Sequence, residues 1–216
     1  MKNQDLVILA FAALAFCLFV KNQDCENDDS SADIEDYANQ AQEQLQKLTD
    51  GDIDFMTANK NLTAFLRAIR YGEGTAGGNG YQILCGGKTF DSFADHPALR
   101  GWTGLPLSDS MCKAAGFGAG CVSTAAGAYQ INKPTWRGLV SKLGLSDFSP
   151  DSQDRAAIEL ISQRGALQDV YAGRIDSAVS KCAKVWASLP SAGYGQHEVS
   201  MNSFISNFEN EGGAVA

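Results

Sequence analysis

A chain of 216 residues, 44% apolar and 19% charged with 22 glycines and 5 prolines, has room for one catalytic domain and excludes collagen, a coiled-coil rod and a wholly disordered polymer. Its net charge of −8 argues against a broad nucleic-acid interface, because neutralising phosphate needs a basic surface. The charge is local. Eleven acids and three bases fall between Lys21 and Lys60, whereas Asn61 to the C-terminus holds thirteen of each sign, so the acidic excess belongs to a connecting segment.

Leu6 to Val20 is an unbroken apolar run of fifteen, with Lys2 before it and Lys21 after. A retained signal-anchor, a cleaved signal peptide and a buried segment are the readings that remain open. The run is short for a full span, its small-x-small site (Ala13-Leu14-Ala15) lies inside the apolar stretch, and Phe16 before Cys17 is wrong for a lipoprotein. Asp24, Glu26, Asp28 and Asp29 beyond it suit a non-cytoplasmic side, giving an expectation of a membrane-anchored, extracytoplasmic domain. Residues 21–33 read as a solvated linker. Ile34, Tyr37, Ala38, Ala41, Leu45 and Leu48 recur at helical spacing as an amphipathic stalk. The expected organisation is thus 1–20 membrane segment, 21–57 acidic linker with helix, and 58–216 catalytic domain.

From Asn59 the pattern tightens. Leu62, Phe65, Leu66 and Ile69 form one helical face that stops at Gly72-Glu73-Gly74-Thr75. Tyr81 to Cys85 and Lys88 to Phe90, joined by Gly86-Gly87, predict a small hairpin. Asp91 to Gly120 reads as irregular. Cys112 and Cys121 bracket a Gly/Ala-rich stretch and are expected either to close a loop as a disulfide or to remain two free thiols. Further helices are expected around Thr135–Leu143, from Ser149-Pro150-Asp151 to Arg164, over about Asp176–Ser188 and over about Met201–Glu209. Cys182 falls in an apolar stripe with Val179, Trp186 and Leu189, which suits a buried inert thiol. The outline is α+β, mainly helical with one small hairpin lobe.

The chemistry narrows quickly. No Cys-x-x-Cys occurs and the only histidines are His96 and His197, so zinc spacing is absent and no cofactor is implied. Neither histidine has a Gly-x-Ser-x-Gly partner, and a Cys–His amidase from Cys85 or Cys121 competes with structural roles for those cysteines. Glu73 is the remaining candidate. A carboxylate at a helix C-terminus feels the negative end of the dipole, and an apolar lining would add desolvation. Both favour the protonated form that a general acid needs, although a Glu beside a glycine turn is also often just solvated.

The stretches Glu73-Gly74-Thr75, Gly86-Gly87, Asp95-His96-Pro97, Ser123 to Gln130, Asp147-Phe148-Ser149-Pro150, Ser152-Gln153-Asp154, Arg164-Gly165-Ala166-Leu167, Trp186 to Pro190 and Ala192 to Gln196 stand in order over about 150 residues. In these the chain from about Ala64 to Ala214 resembles the lambda-type phage endolysin family of lytic transglycosylases, with a lysozyme-like fold. The resemblance implies Glu73 as the catalytic acid and peptidoglycan strands as the substrate. It offers Tyr129, Gln130, Tyr194 and Gln196 as glycan-binding candidates, whose alternative role is to hydrogen-bond the fold together. It further implies cleavage between N-acetylmuramic acid and N-acetylglucosamine with 1,6-anhydro ends, at lysis or during entry. A hydrolytic muramidase and a non-catalytic wall-binding virion protein are the alternatives. The position nine residues after Glu73, where a T4-type lysozyme pattern wants an Asp, is Gln82, and the nearest downstream acids are Asp91 and Asp95. The chain departs from the family in its N-terminal run and stalk, in an enlarged loop between Pro97 and Ser123, and in Ala128, where the family often carries Arg.

Overall fold

The computed structural model describes residues 59–193 and 198–216. The apolar run, the linker and the stalk lie outside the described residues, as do Tyr194, Gln196 and His197. No helix among the described residues is long and apolar enough to cross a membrane.

Helix α1 covers residues 59–72 and buries Ala64, Phe65, Ala68 and Ile69 on the expected face. Its end follows from one backbone requirement. Gly74 adopts φ +70°, which lets Gly74 N donate to Tyr71 O at 3.2 Å and Thr75 N to Arg70 O at 2.8 Å. This pair of reversed bonds closes the helix with Glu73 as the capping residue.

The main lobe consists of α3 (Lys133–Leu143), α4 (Pro150–Gln163), α5 (Leu167–Tyr171), α6 (Ile175–Cys182) and α7 (Met201–Asn210), following the short α2 (Asp109–Ala114). Ser149 accepts from Ser152 N at the start of α4 with Pro150 in the first turn, as that tripeptide predicts. The core gathers Phe65, Trp136, Phe148, Ile161, Leu189 and Phe204, all fully buried. Phe148 is its aromatic centre, with the Trp136 ring centroid 4.7 Å away and that of His96 4.9 Å away. Cys182 is buried as expected, and burial pushes its thiol up to about 12.

Three expectations are corrected. The hairpin over Tyr81–Phe90 forms but is shorter than expected: Ile83 bridges Thr89, Leu84 N donates to Lys88 O at 2.6 Å and Phe90 N to Gln82 O at 3.0 Å, while Gly80–Gln82 winds into a 3-10 turn and Leu84 also bridges Ala126. The first strand of the sheet lies in the stretch expected to be irregular, and its partner lies just after it. Strand β1 (Leu105–Pro106) pairs antiparallel with β2 (Val122–Ser123), in register Leu105 with Ser123 and Pro106 with Val122. Between these strands sits α2, with Cys112 joined to Cys121. The helix expected over Asp176–Ser188 ends at Cys182, and residues 183–190 turn back so that Trp186 Nε1 donates to Tyr129 O at 3.0 Å. Before it, Gly173 at φ +70° separates α5 from α6.

Candidate active site

Glu73 projects from the end of α1 into a groove open to solvent. The lining comes from both sides of the molecule: Gln130, Asn132, Trp186 and Ala187 from the helical lobe, and Leu107, Met111 and Ser123 from the disulfide-closed segment, with Cys85 between. Among the described residues lining this groove, Glu73 is the one carboxylate.

Several elements fix that carboxylate. Ser188 Oγ donates to Glu73 Oε1 at 2.6 Å. Burial drives the Glu73 carboxyl above its ordinary range, and hydrogen bonds from the Ser188 hydroxyl and backbone N–H hold it down in part. The negative end of α1 acts in the same sense as burial. The result is a carboxyl biased towards its protonated form but still able to ionise, which is what a group that first gives and then takes a proton requires.

The turn at 127–131 supports the site from below. Thr75 Oγ1 donates to Ala128 O at 2.5 Å, which ties the Glu73 turn to this segment. Ala128 N donates to Gln153 Oε1 at 2.8 Å, and Gln153 Nε2 donates to Phe148 O at 2.8 Å and Tyr81 O at 3.1 Å. Gly127, at φ +78°, is the residue that allows this packing, since a Cβ there would stand 2.1 Å from Gln153 Oε1. Ala128 is fully buried and acts here through its backbone alone.

The sequence-derived candidates separate on this frame. Gln130 lines the groove, with φ +45°, and its Nε2 donates to Gly127 O at 2.9 Å and Ile83 O at 3.1 Å. Its amide nitrogen is therefore committed to the fold, leaving the carbonyl oxygen as the group it can offer a ligand. Tyr129 is 2% exposed and turns away from the groove. Its hydroxyl donates to Asp154 Oδ1 at 2.6 Å, and Tyr81 donates to the same oxygen at 2.8 Å, with the Arg70 guanidinium 4.5 Å from the Tyr81 ring centre. Burial and the Asp154 charge raise the Tyr129 phenol well above its ordinary value, so it stays neutral. Tyr194 and Gln196 lie outside the described residues.

Of the other nucleophile and acid candidates, Cys85 is a free thiol in the groove wall and Cys121 is in the disulfide, while the histidine and the acids below stand elsewhere. His96 is fully buried, with Nε2 2.8 Å from Ile131 O and Nδ1 accepting from Ala98 N at 3.1 Å, and burial lowers its pKa. Asp95 Oδ1 accepts from Trp136 Nε1 at 3.0 Å and from His96 N at 2.7 Å, while Asp91 is exposed on the loop after the bridge. No cluster of metal-ligating side chains occurs among the described residues. Sequence reasoning missed Asn132 and Met111 as lining residues and Ser188 as the partner of Glu73. Asn132 sits at the N-cap of α3 with Oδ1 accepting from Thr124 N at 3.3 Å, a local signal that a cap search would have caught.

This geometry agrees with what the chain is similar to. The profile of the Endolysin family matches residues 63–215. The endolysin of Escherichia phage lambda is 37% identical over 163 residues, covering 73% of this chain and 94% of the relative. That of Escherichia phage P2 is 38% identical over 171 residues, covering 74% and 98%. Among solved structures, bacteriophage lambda lysozyme complexed with a chitohexasaccharide superposes with a TM-score of 0.62 at 37% identity, over 73% of this chain and 97% of that one. A second structure of lysozyme from bacteriophage lambda gives 0.60 at 36% identity, with the same coverage. The chain belongs to the endolysin family, lysozyme-like enzymes that degrade peptidoglycan.

Proposed function

We propose that this endolysin is a lytic transglycosylase that cleaves the β-1,4 bond between N-acetylmuramic acid and N-acetylglucosamine, with Glu73 as its single acid–base group. The observation that carries this reading is that Glu73 is the one carboxylate among the described residues lining the groove. A two-carboxylate hydrolase needs a second Asp or Glu flanking the scissile bond, as nucleophile or as base for a water. Here Asp95 is bonded into the Trp136–His96 cluster, Asp154 holds two tyrosines, and Asp91 lies outside the groove lining. A relative's complex with a chitohexasaccharide supports an extended glycan as the ligand of this groove.

Protonated Glu73 gives its proton to the glycosidic oxygen as the C1–O bond breaks. The carboxylate so formed takes the proton of the muramoyl C6 hydroxyl as that oxygen bonds to C1. The product is a 1,6-anhydro end, Glu73 is reprotonated, and no water is consumed. A buried carboxyl with its pKa raised by desolvation and moderated by Ser188 suits both halves of this cycle. Mass spectrometry of muropeptides released from purified sacculi tests it. Anhydro ends that resist borohydride reduction support the reading, and reducible muramic acid ends assign a hydrolytic muramidase.

The family match begins at residue 63. For the preceding sequence the reading is a tether: the Leu6–Val20 run anchors the chain in a membrane and the acidic segment spaces a charge-balanced domain on the extracytoplasmic side. Its support is the sequence pattern alone. Full-length chain sedimenting with membranes is the expected result, and freely soluble, uncleaved chain in the cytoplasm removes the tether.

A further inference from the structure

The last residue of α1 raises a question that the acid itself does not answer. Gly72 sits in the final helical turn, where glycine is the least favourable residue after proline, and its backbone is not in the left-handed region. Conformation therefore does not call for glycine there. Space does. A Cβ at position 72 would stand 2.9 Å from Ser188 Oγ and 3.3 Å from Ser188 Cβ. Ser188 is 7% exposed and is held from both sides: its carbonyl accepts from Val199 N at 2.8 Å, and the next residue, Leu189, is fully buried. The hydroxyl is the part free to move, and the hydroxyl is what reaches Glu73 Oε1.

We infer that Gly72 and Ser188 act as a matched pair of positioning residues, in which the missing side chain at 72 admits the Ser188 hydroxyl to Glu73 Oε1 and so aims the other carboxyl oxygen at the glycan. The inference rests on Glu73 being the acid of the reaction. A carboxyl at a helix end can rotate, and only one of its oxygens can carry the transferable proton. Fixing Oε1 as the acceptor of the Ser188 O–H leaves Oε2 to carry the proton, so one rotamer and one protonation site are selected together. The same bond stabilises the ionised form needed for the second half of the cycle. No charged side chain among the described residues contributes to the shift of Glu73, and Cys85 is the one other ionisable group among the described residues lining the groove.

The test is a double-mutant cycle with Gly72→Ala and Ser188→Ala in the full chain, read on soluble glycan strands as kcat, KM and the pH profile. Thermal unfolding serves as the folding control, and Glu73→Gln as the control for the acid. Gly72→Ala replaces a poor helix former by the best one, so the folded protein should melt no lower than the wild type while kcat falls about tenfold, the loss expected for one hydrogen bond to a charged group. KM should hold. Each single variant leaves burial less opposed, so the alkaline limb, where Glu73 loses its proton, should move to higher pH. The double variant should be no slower than Ser188→Ala alone, because the bond is already gone. Wild-type kcat and pH profile in Gly72→Ala, with Glu73→Gln inactive, overturn the pairing and leave the acid in place. So do losses that multiply in the double variant. Full activity of Glu73→Gln overturns both.

Discussion

The two walls of the groove are built on different principles. The wall that carries Glu73 is bonded into the core: α1 ends on a closed glycine turn, Thr75 reaches Ala128, Gln153 braces the 127–131 turn, and Trp186 pins the segment that brings Ser188. The opposite wall, from Leu105 to Ser123, has two-residue strands, a six-residue helix and one disulfide. Cys112 is its one fully buried apolar side chain, while Phe117, Val122 and Leu105 are exposed. The contrast separates two demands. A proton donor must be placed to a fraction of an ångström, which takes packing on every side. A surface that only borders a glycan can be held by a covalent staple.

The largest effect tests the first wall. Glu73→Gln should lower glycan cleavage by about 10²–10⁴-fold or more, because Gln fills the same space and still accepts from Ser188 but can neither deliver nor take the proton. Binding to sacculi should survive. Asp91→Asn and Asp95→Asn should cost far less cleavage per folded molecule, since neither lines the groove.

Stability should divide along the same line. Trp136→Ala removes a fully buried ring that packs on Phe148 and donates to Asp95, and should cost about 3–5 kcal/mol in denaturant unfolding. Phe117→Ala, at a side chain 65% exposed on the stapled wall, should stay within about 0.5 kcal/mol. An equal cost at both positions would dissolve the distinction. Replacing both Cys112 and Cys121 by Ser should cost about 2–3 kcal/mol at most, the loop-closure entropy of a short bridge. Leu107 and Met111 line the groove from this wall, so KM should rise while kcat, set by the other wall, holds.

The smallest effects are linked to pH and have opposite signs. The Glu73 carboxyl is raised, so its favourable contribution to folding is present in acid and is lost as pH rises through that raised value. At neutral pH the ionised group is a liability, and Glu73→Gln should melt higher than the wild type, with the gap closing as pH falls into the ordinary carboxylate range. Asp169 is the reverse case. Hydrogen bonds from Lys181, Arg174 and Ser177 hold it at about 2, so its contribution is present above its ordinary 3.8 and is lost as pH falls towards 2. Asp169→Asn should melt lower at neutral pH and converge with the wild type in strong acid. Melting curves across pH check both.

How much of this was legible in the sequence also follows the two walls. The helical wall was readable where local chemistry agrees with the fold. Ser149-Pro150-Asp151 starts α4, the Leu62–Ile69 stripe forms α1, and Gly74 closes it on Glu73. Of the stapled wall, the Cys112–Cys121 bridge was legible and the rest was not. Two-residue strands have no period to detect, and α2 is held by a bridge rather than by an apolar stripe. The hairpin was legible from Gly86-Gly87, but the second bridge of Leu84, to Ala126 forty-two residues away, is reported by no local turn signal. Within the site, the helix end made Glu73 a candidate beside the alternative of a solvated carboxylate, and the family resemblance singled it out. Ser188 could not be picked out, since it meets Glu73 only after the chain folds back 115 residues later. Tyr129 and Gln130 were visible as motif residues, but their division into a core phenol and a groove amide depends on the turn at Gly127.

The most direct measurement of the central claim is the fate of water. Sacculi digested by the wild-type chain in 18O-labelled water, with the muropeptides weighed by mass spectrometry, report whether solvent oxygen enters at the cleaved anomeric carbon. An acid working alone in the groove predicts products lighter by one water than the hydrolysis products and free of 18O at the muramoyl end. Reducing ends that each carry one 18O would mean that water, and not the C6 hydroxyl, attacks the anomeric carbon, and would contradict the transglycosylase mechanism.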